Sequence, residues 1–118
     1  MSWDESEIAV ARGRILKAAQ DMLAGKLLYV EGARKIVASR RVARLDEWDA
    51  DLLPFVGIVS ETDALPLGEG RQLWQAAALD ALQPEIDQKE SWARAFGEAH
   101  CRGIVERLSR DGIEIETA

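Results

Sequence analysis

A chain of 118 residues, 47% apolar and 31% charged, has the size and composition of one globular domain that buries a core without covalent staples. Its single cysteine excludes an internal disulfide, and one cysteine with one histidine excludes a metal cluster rich in thiolate or imidazole. A net charge of −6 argues against general nucleic-acid binding, which needs a basic surface to neutralise phosphates.

The first segment, Met1-Ser2-Trp3-Asp4-Glu5, lacks the basic start and apolar run of a signal peptide. Ile8, Ala11, Ile15, Ala18, Ala19 and Met22 then recur at helical spacing, which predicts a helix over 4–24. Gly25 suits the left-handed residue that ends many helices. A second helix is predicted over 27–42, with Leu28, Ala33, Ile36 and Val37 on its inner side, antiparallel to the first because only Gly25-Lys26 joins them. Gly32, inside this helix, marks close approach of a neighbour.

The segment 49–63 holds Phe55-Val56-Gly57-Ile58-Val59, whose content also suits a buried strand. Asp49 or Asp51 as N-cap and Pro54 in the first turn favour a third, short, buried helix, since a lone strand leaves its backbone unpaired. Even the longest near-apolar run, Leu52–Val59, falls far short of the roughly 20 residues a membrane-spanning helix needs. Residues 64–70 read as a loop punctuated by Pro66, Gly68 and Gly70. From about 79 to 110 the pattern is helical again: Leu82, Ile86, Ala93, Phe96, His100, Ile104 and Leu108 form the stripe, with Pro84 near the start and Asp111-Gly112 as the stop. The expectation is an all-α, single-domain bundle of about four helices over 1–118, with 113–118 a short tail, in a reducing cytoplasmic compartment.

Charge is unevenly spread. Lys26, Arg34, Lys35, Arg40, Arg41 and Arg44 face only Glu31 within 26–44, whereas 45–70 holds seven carboxylates and no lysine or arginine. The acidic stretch around Asp46, Glu47, Trp48, Asp49 and Asp51 lacks the glycine and terminal glutamate of a calcium loop. It reads as N-capping and solubilising, or as a surface for a basic partner. The basic helix end Arg40–Arg44 complements the helix dipole and can pair with the acids that follow.

Catalytic constellations are scarce. His100 and Cys101 are adjacent, so on a helix they point about 100° apart and do not form a nucleophile–base pair. Cys101 is expected to be buried and inert, and His100 to be a core or boundary residue. Neither the Glu-x-x-His pairs of a carboxylate-bridged di-metal bundle, nor phosphate-cradling glycine motifs, nor a Gly-x-Ser-x-Gly elbow are present. No cofactor, metal or enzymatic role is expected.

The run Phe55-Val56-Gly57-Ile58-Val59-Ser60-Glu61-Thr62-Asp63-Ala64-Leu65-Pro66-Leu67-Gly68, followed by Arg71-Gln72-Leu73-Trp74, resembles a family of small, poorly characterised bacterial helical proteins. They share a Ser-Glu-Thr-Asp-x-Leu-Pro-x-Gly signature. Glu31-Gly32-Ala33-Arg34 and a cysteine in the last helix, here Cys101, are similar to theirs, and the likeness spans roughly 20–108. The chain departs from it at Gln75-Ala76-Ala77, where the family has a Ser-Pro helix start. The resemblance implies no enzyme activity. Some small acidic proteins of this kind look like immunity partners of bacterial toxins.

Two readings of the signature stay open. Arg34 or Arg71 pairs with Glu61 or Asp63 to fix the loop on the second helix, or Arg34, Glu61, Asp63, Arg71 and Trp74 form a polar pocket for a small ligand or peptide terminus. The functions that follow are a protein-binding module, in its most specific form an immunity protein masking a basic toxin domain with segment 45–70; a ligand-binding or enzymatic domain built on the arginine–carboxylate cluster; or a homodimer with no separate partner.

Overall fold

Helix α1 (Ser2–Leu23) stops where Gly25 takes a φ of +76°, a conformation without penalty only for glycine. The N–H groups of Gly25 and Lys26 bond back to the carbonyls of Met22 and Asp21, a left-handed cap at the predicted position. Three further helices follow in the computed structural model, which describes residues 2–45, 49–65 and 75–115: α2 (Tyr29–Arg40), α3 (Leu53–Thr62) and α4 (Ala76–Arg110). No strand occurs among the described residues. The molecule is all-α.

The α1–α2 pair is antiparallel, and Gly32 of α2 lies against the Met22 side chain of α1. A Cβ there would lie 2.2 Å from the Met22 Sδ, so only glycine lets Met22 fill the space. The inner face of α2 is Tyr29, Val30, Gly32, Ala33 and Ile36. Leu28, expected on that face, is 40% exposed because the helix begins one residue after it.

In α3 the strand-like composition is spent on a buried helix. Pro54 occupies the first turn, where its missing N–H costs nothing, and Phe55, Ile58 and Thr62 face inward at three- and four-residue steps. The hydroxyl of Thr62 donates to the Ile58 carbonyl at 2.6 Å, which satisfies it in the core.

At about 1.5 Å per residue the 35 residues of α4 run the length of the 50 Å long axis. The helix begins at Ala76, so Pro84 lies well inside it rather than near its start. The proline denies a partner to the carbonyl four residues earlier, on a stretch where both Asp80 and Pro84 are exposed to solvent. The buried stripe of α4 is Ile86, Ala93, Gly97, Cys101, Ile104 and Leu108. Gly97 points inward where Phe96 was expected, and Cys101, expected to be buried, takes the stripe position given to His100, which sits at the boundary. The reason is volume. Gly97 lies under Phe55, Ile58 and Tyr29, at 3.1 to 3.6 Å from where its Cβ would be, and Cys101 Sγ meets Met22 Sδ at 4.0 Å. Large side chains from α1, α2 and α3 fill the space that small residues of α4 leave.

Gly112 stops α4 with a φ of +77°, as expected, and Ile113 and Ile115 then pack on the core. The Glu114 carbonyl lies 2.6 Å from where a Gly13 Cβ would sit, so the tail crosses α1 at its glycine.

Candidate functional site

Helix ends leave backbone groups unpaired, and only α1 and α4 finish theirs with local glycine turns. The end of α2 turns on Arg44, left-handed at a φ of +56°, with the Leu45 N–H bonded back to the Arg40 carbonyl at 3.3 Å, and several charged side chains from distant helices serve backbone groups at or near the other ends. Residue Leu28 gives α2 no N-capping side chain, and Glu90 of α4 supplies one: its carboxylate accepts the Tyr29 N–H at 2.7 Å and the Val30 N–H at 3.1 Å. Beyond the C-terminal end of α2, Arg12 of α1 donates from Nε to the Ala43 carbonyl at 2.9 Å.

Arg34 has the same kind of role at the end of α3. Its guanidinium donates to the carbonyls of Thr62, at 2.6 Å, and Leu65, at 3.3 Å. A cation there meets the negative end of the helix dipole. Of the residues grouped with it from the sequence, Asp63 is the exposed C-cap of α3 and Glu61 points elsewhere; neither carboxylate pairs with Arg34 among the described residues. Arg71 and Trp74 lie outside the described residues. Arg34 does hold the signature segment onto α2, but by its backbone.

The acidic stretch is engaged at its described end. Arg107 of α4 contacts Asp49 at 2.9 Å and Asp51 at 3.4 Å, and the His100 Nδ1 lies 3.7 Å from Asp51, an ion pair when the imidazole is protonated. Asp49 also accepts the Asp51 N–H at 2.9 Å, which sets the turn into α3. Burial is the largest influence on the Asp49 carboxyl and opposes its charge. The Arg107 hydrogen bond, the Asp51 and Leu52 N–H groups and the Arg107 charge together outweigh it and hold the carboxyl below its ordinary range. The partners of these acids therefore come from α4 and not from Arg40, Arg41 or Arg44. Asp46, Glu47 and Trp48 lie outside the described residues.

Cys101 is buried as expected. Burial, helped by the Glu98 charge and opposed by Arg102, pushes its thiol up to about 12. A thiol held that high carries little thiolate at neutral pH. Among the described residues no three of His, Cys, Asp and Glu gather closely enough to hold a metal ion.

The surface that remains unexplained by capping is the outer face of α3 and α4. Trp92 and Phe96, one turn apart, stack with ring centroids 5.5 Å apart and planes 11° from parallel. They are 38% and 46% exposed. The Lys89 ammonium lies 5.9 Å from the Trp92 ring centre, and Glu61, Gln88, Lys89 and Trp92 line a cavity of about 330 Å³. The Phe96 ring lies over Gly57 of α3, 3.8 Å from where a Cβ would be, an ordinary van der Waals distance. Leu53, one turn before Gly57, adds a side chain 42% exposed. Sequence reasoning placed Phe96 in the core and left Trp92, like the other tryptophans, between a core residue and a binding hot spot. The available signal was the spacing Lys89, Trp92, Phe96 on one helix face.

No family model, curated protein or solved structure matches this chain.

Proposed function

We propose that this chain is a protein-binding module whose partner docks on the α3–α4 face at Leu53, Trp92 and Phe96. The observation that carries this reading is the stacked, solvent-facing Trp92–Phe96 pair. Trp92 and Phe96 leave 38% and 46% of their surface in water, which forgoes under half of the about 1.5–3 kcal/mol that full burial of a side chain such as Phe is worth, and tryptophan is enriched where a few residues dominate a protein interface. Glu61 and Lys89 beside them supply a polar rim that fixes register. Neutralisation of a toxin domain is the specific form suggested by the signature resemblance. Its acidic contact then draws on Glu61 and the other carboxylates of 45–70 more than on Asp49 and Asp51, which Arg107 already engages.

The ligand-pocket reading is less well supported, since the Arg34 guanidinium is occupied by two carbonyls. A photoreactive benzophenone amino acid placed at position 96 in the native cell tests the proposal. We expect one discrete adduct, absent when the label sits at Arg110 and lost with Trp92→Ser. A ladder of unspecific adducts overturns the reading, and an adduct of twice the chain mass replaces it with self-association.

A further inference from the structure

Helices α1 and α2 pack closely at Gly32 but leave an open cavity of about 360 Å³ on their outer side. Ala18, Leu27 and Ala38 give it apolar walls, while Arg14, Lys17, Lys26 and Lys35 stand around it. Asp21 is the one carboxylate in its lining and is paired with Lys17 at 3.1 Å. Among the described residues no ion pair engages Arg14, Lys26 or Lys35. Three unneutralised cations thus meet over one cavity in a chain of net charge −6. The unevenness of charge along the sequence becomes a local positive field in space, to which Arg14 of α1 adds. Such a field raises the local concentration of anions, and a bound anion relieves the mutual repulsion of the cations.

We propose that the α1–α2 groove binds a small phosphate-bearing ligand with an apolar body, its phosphates on Arg14, Lys26 and Lys35 and its body against Ala18, Leu27 and Ala38. The volume falls in the roughly 300–1,000 Å³ range of small-molecule sites. The charge pattern favours a compact ligand over a nucleic-acid strand. The neighbouring cavities, one sharing Arg14 and the other holding Arg41 and Arg44, both contain Glu7, which interrupts the cationic track. This groove belongs to different helices from the Trp92–Phe96 face, so the two proposals stand or fall separately.

Calorimetric titration of the full chain at about 50 mM salt, where screening is weak, tests it with four probes: ADP, decyl phosphate, inorganic pyrophosphate and a single-stranded oligonucleotide. We expect ADP or decyl phosphate to bind with a Kd below about 1 mM, and more tightly than pyrophosphate. Which of the two binds separates a nucleotide source from a lipid-like one. Lys26→Glu/Lys35→Glu should weaken binding by about tenfold or more and Arg14→Ala by about threefold, as expected for lost charge-assisted contacts, while Arg110→Glu leaves it within about twofold. All four side chains are exposed, and far-UV circular dichroism verifies that each variant folds. The proposal is overturned if neither ligand binds, if pyrophosphate binds as tightly as the better of them, if the oligonucleotide binds more tightly than either, or if the groove variants bind like wild type.

Discussion

Removing the Glu90 side chain isolates the contribution of a helix cap supplied by a different helix. Its carboxylate is bonded to two N–H groups on residues that are 2% and 1% exposed, Tyr29 and Val30. Loss of an ordinary N-cap costs about 1 kcal/mol, and a hydrogen bond to a charged group contributes about 1.5–3 kcal/mol. The carboxylate is only half buried and water reaches it, so Glu90→Ala should cost about 2–3 kcal/mol. At about 4 °C per kcal/mol for a domain near this size, the Tm falls by about 8–12 °C. Glu90→Gln keeps one acceptor oxygen but turns an NH2 group toward the second donor, and should cost about 1–2 kcal/mol. Asp87→Ala is the control: this exposed residue only accepts a bond from Gln83 at 2.7 Å, and its loss should stay within about 0.5 kcal/mol. Urea unfolding followed by circular dichroism, with unchanged m-values, reads all three. A Glu90→Ala protein within about 0.5 kcal/mol of wild type would refute the capping argument.

Arg34→Ala should cost about 1.5–3 kcal/mol because two carbonyls lose a charged donor, while Asp63→Ala should be near neutral and the pair additive; a large coupling energy would revive a carboxylate partner for Arg34. Asp49 has a lowered carboxyl pKa in the folded chain, so its contribution is complete above the unfolded value of about 3.9 and disappears as pH falls through the lower folded one. Asp49→Asn should therefore be destabilising at pH 7 and converge on wild type in acid, and a stability gap that stays constant with pH would contradict the assignment. Burial pushes the Tyr29 phenol up to about 12, as it does the Cys101 thiol. Both groups then stabilise the fold below their unfolded values, about 10 and 8.5, and that stabilisation is lost as pH rises toward 12. Native Cys101 should react with a thiol reagent only as fast as the protein opens, and stoichiometric labelling within seconds would refute its burial.

The helices were legible because their signals are local. Gly25 and Gly112 end two of them, Pro54 opens a third, and Gly32 stands where the Met22 side chain of α1 packs. Apolar spacing failed in α4 because it weighs hydrophobicity and not volume. It chose Phe96 over Gly97 and set His100 on the stripe although Cys101 was expected to be buried, whereas Tyr29, Phe55 and Met22 need small neighbours. The role of Arg34 as a bridge to the signature segment was legible from its charge, but not its acceptors, since a carbonyl leaves no mark in composition. Glu90 was invisible for a related reason. The absence of a capping side chain at Leu28 says that α2 needs an acceptor, and only the packing of α4 says which residue provides it.

The trans-acting caps also bear on the order in which the chain assembles. Glu90 and Tyr29 are 61 residues apart, Arg12 and Ala43 31, and Arg34 and Thr62 28. Each requires a loop to close before it contributes anything, whereas the α1–α2 turn at Gly25 forms within a few residues. A nucleus built on that hairpin can form with the distant caps still open. Interactions absent from the transition state act on the unfolding limb, so the charged caps chiefly set how long the native state lasts and leave the rate of reaching it nearly unchanged.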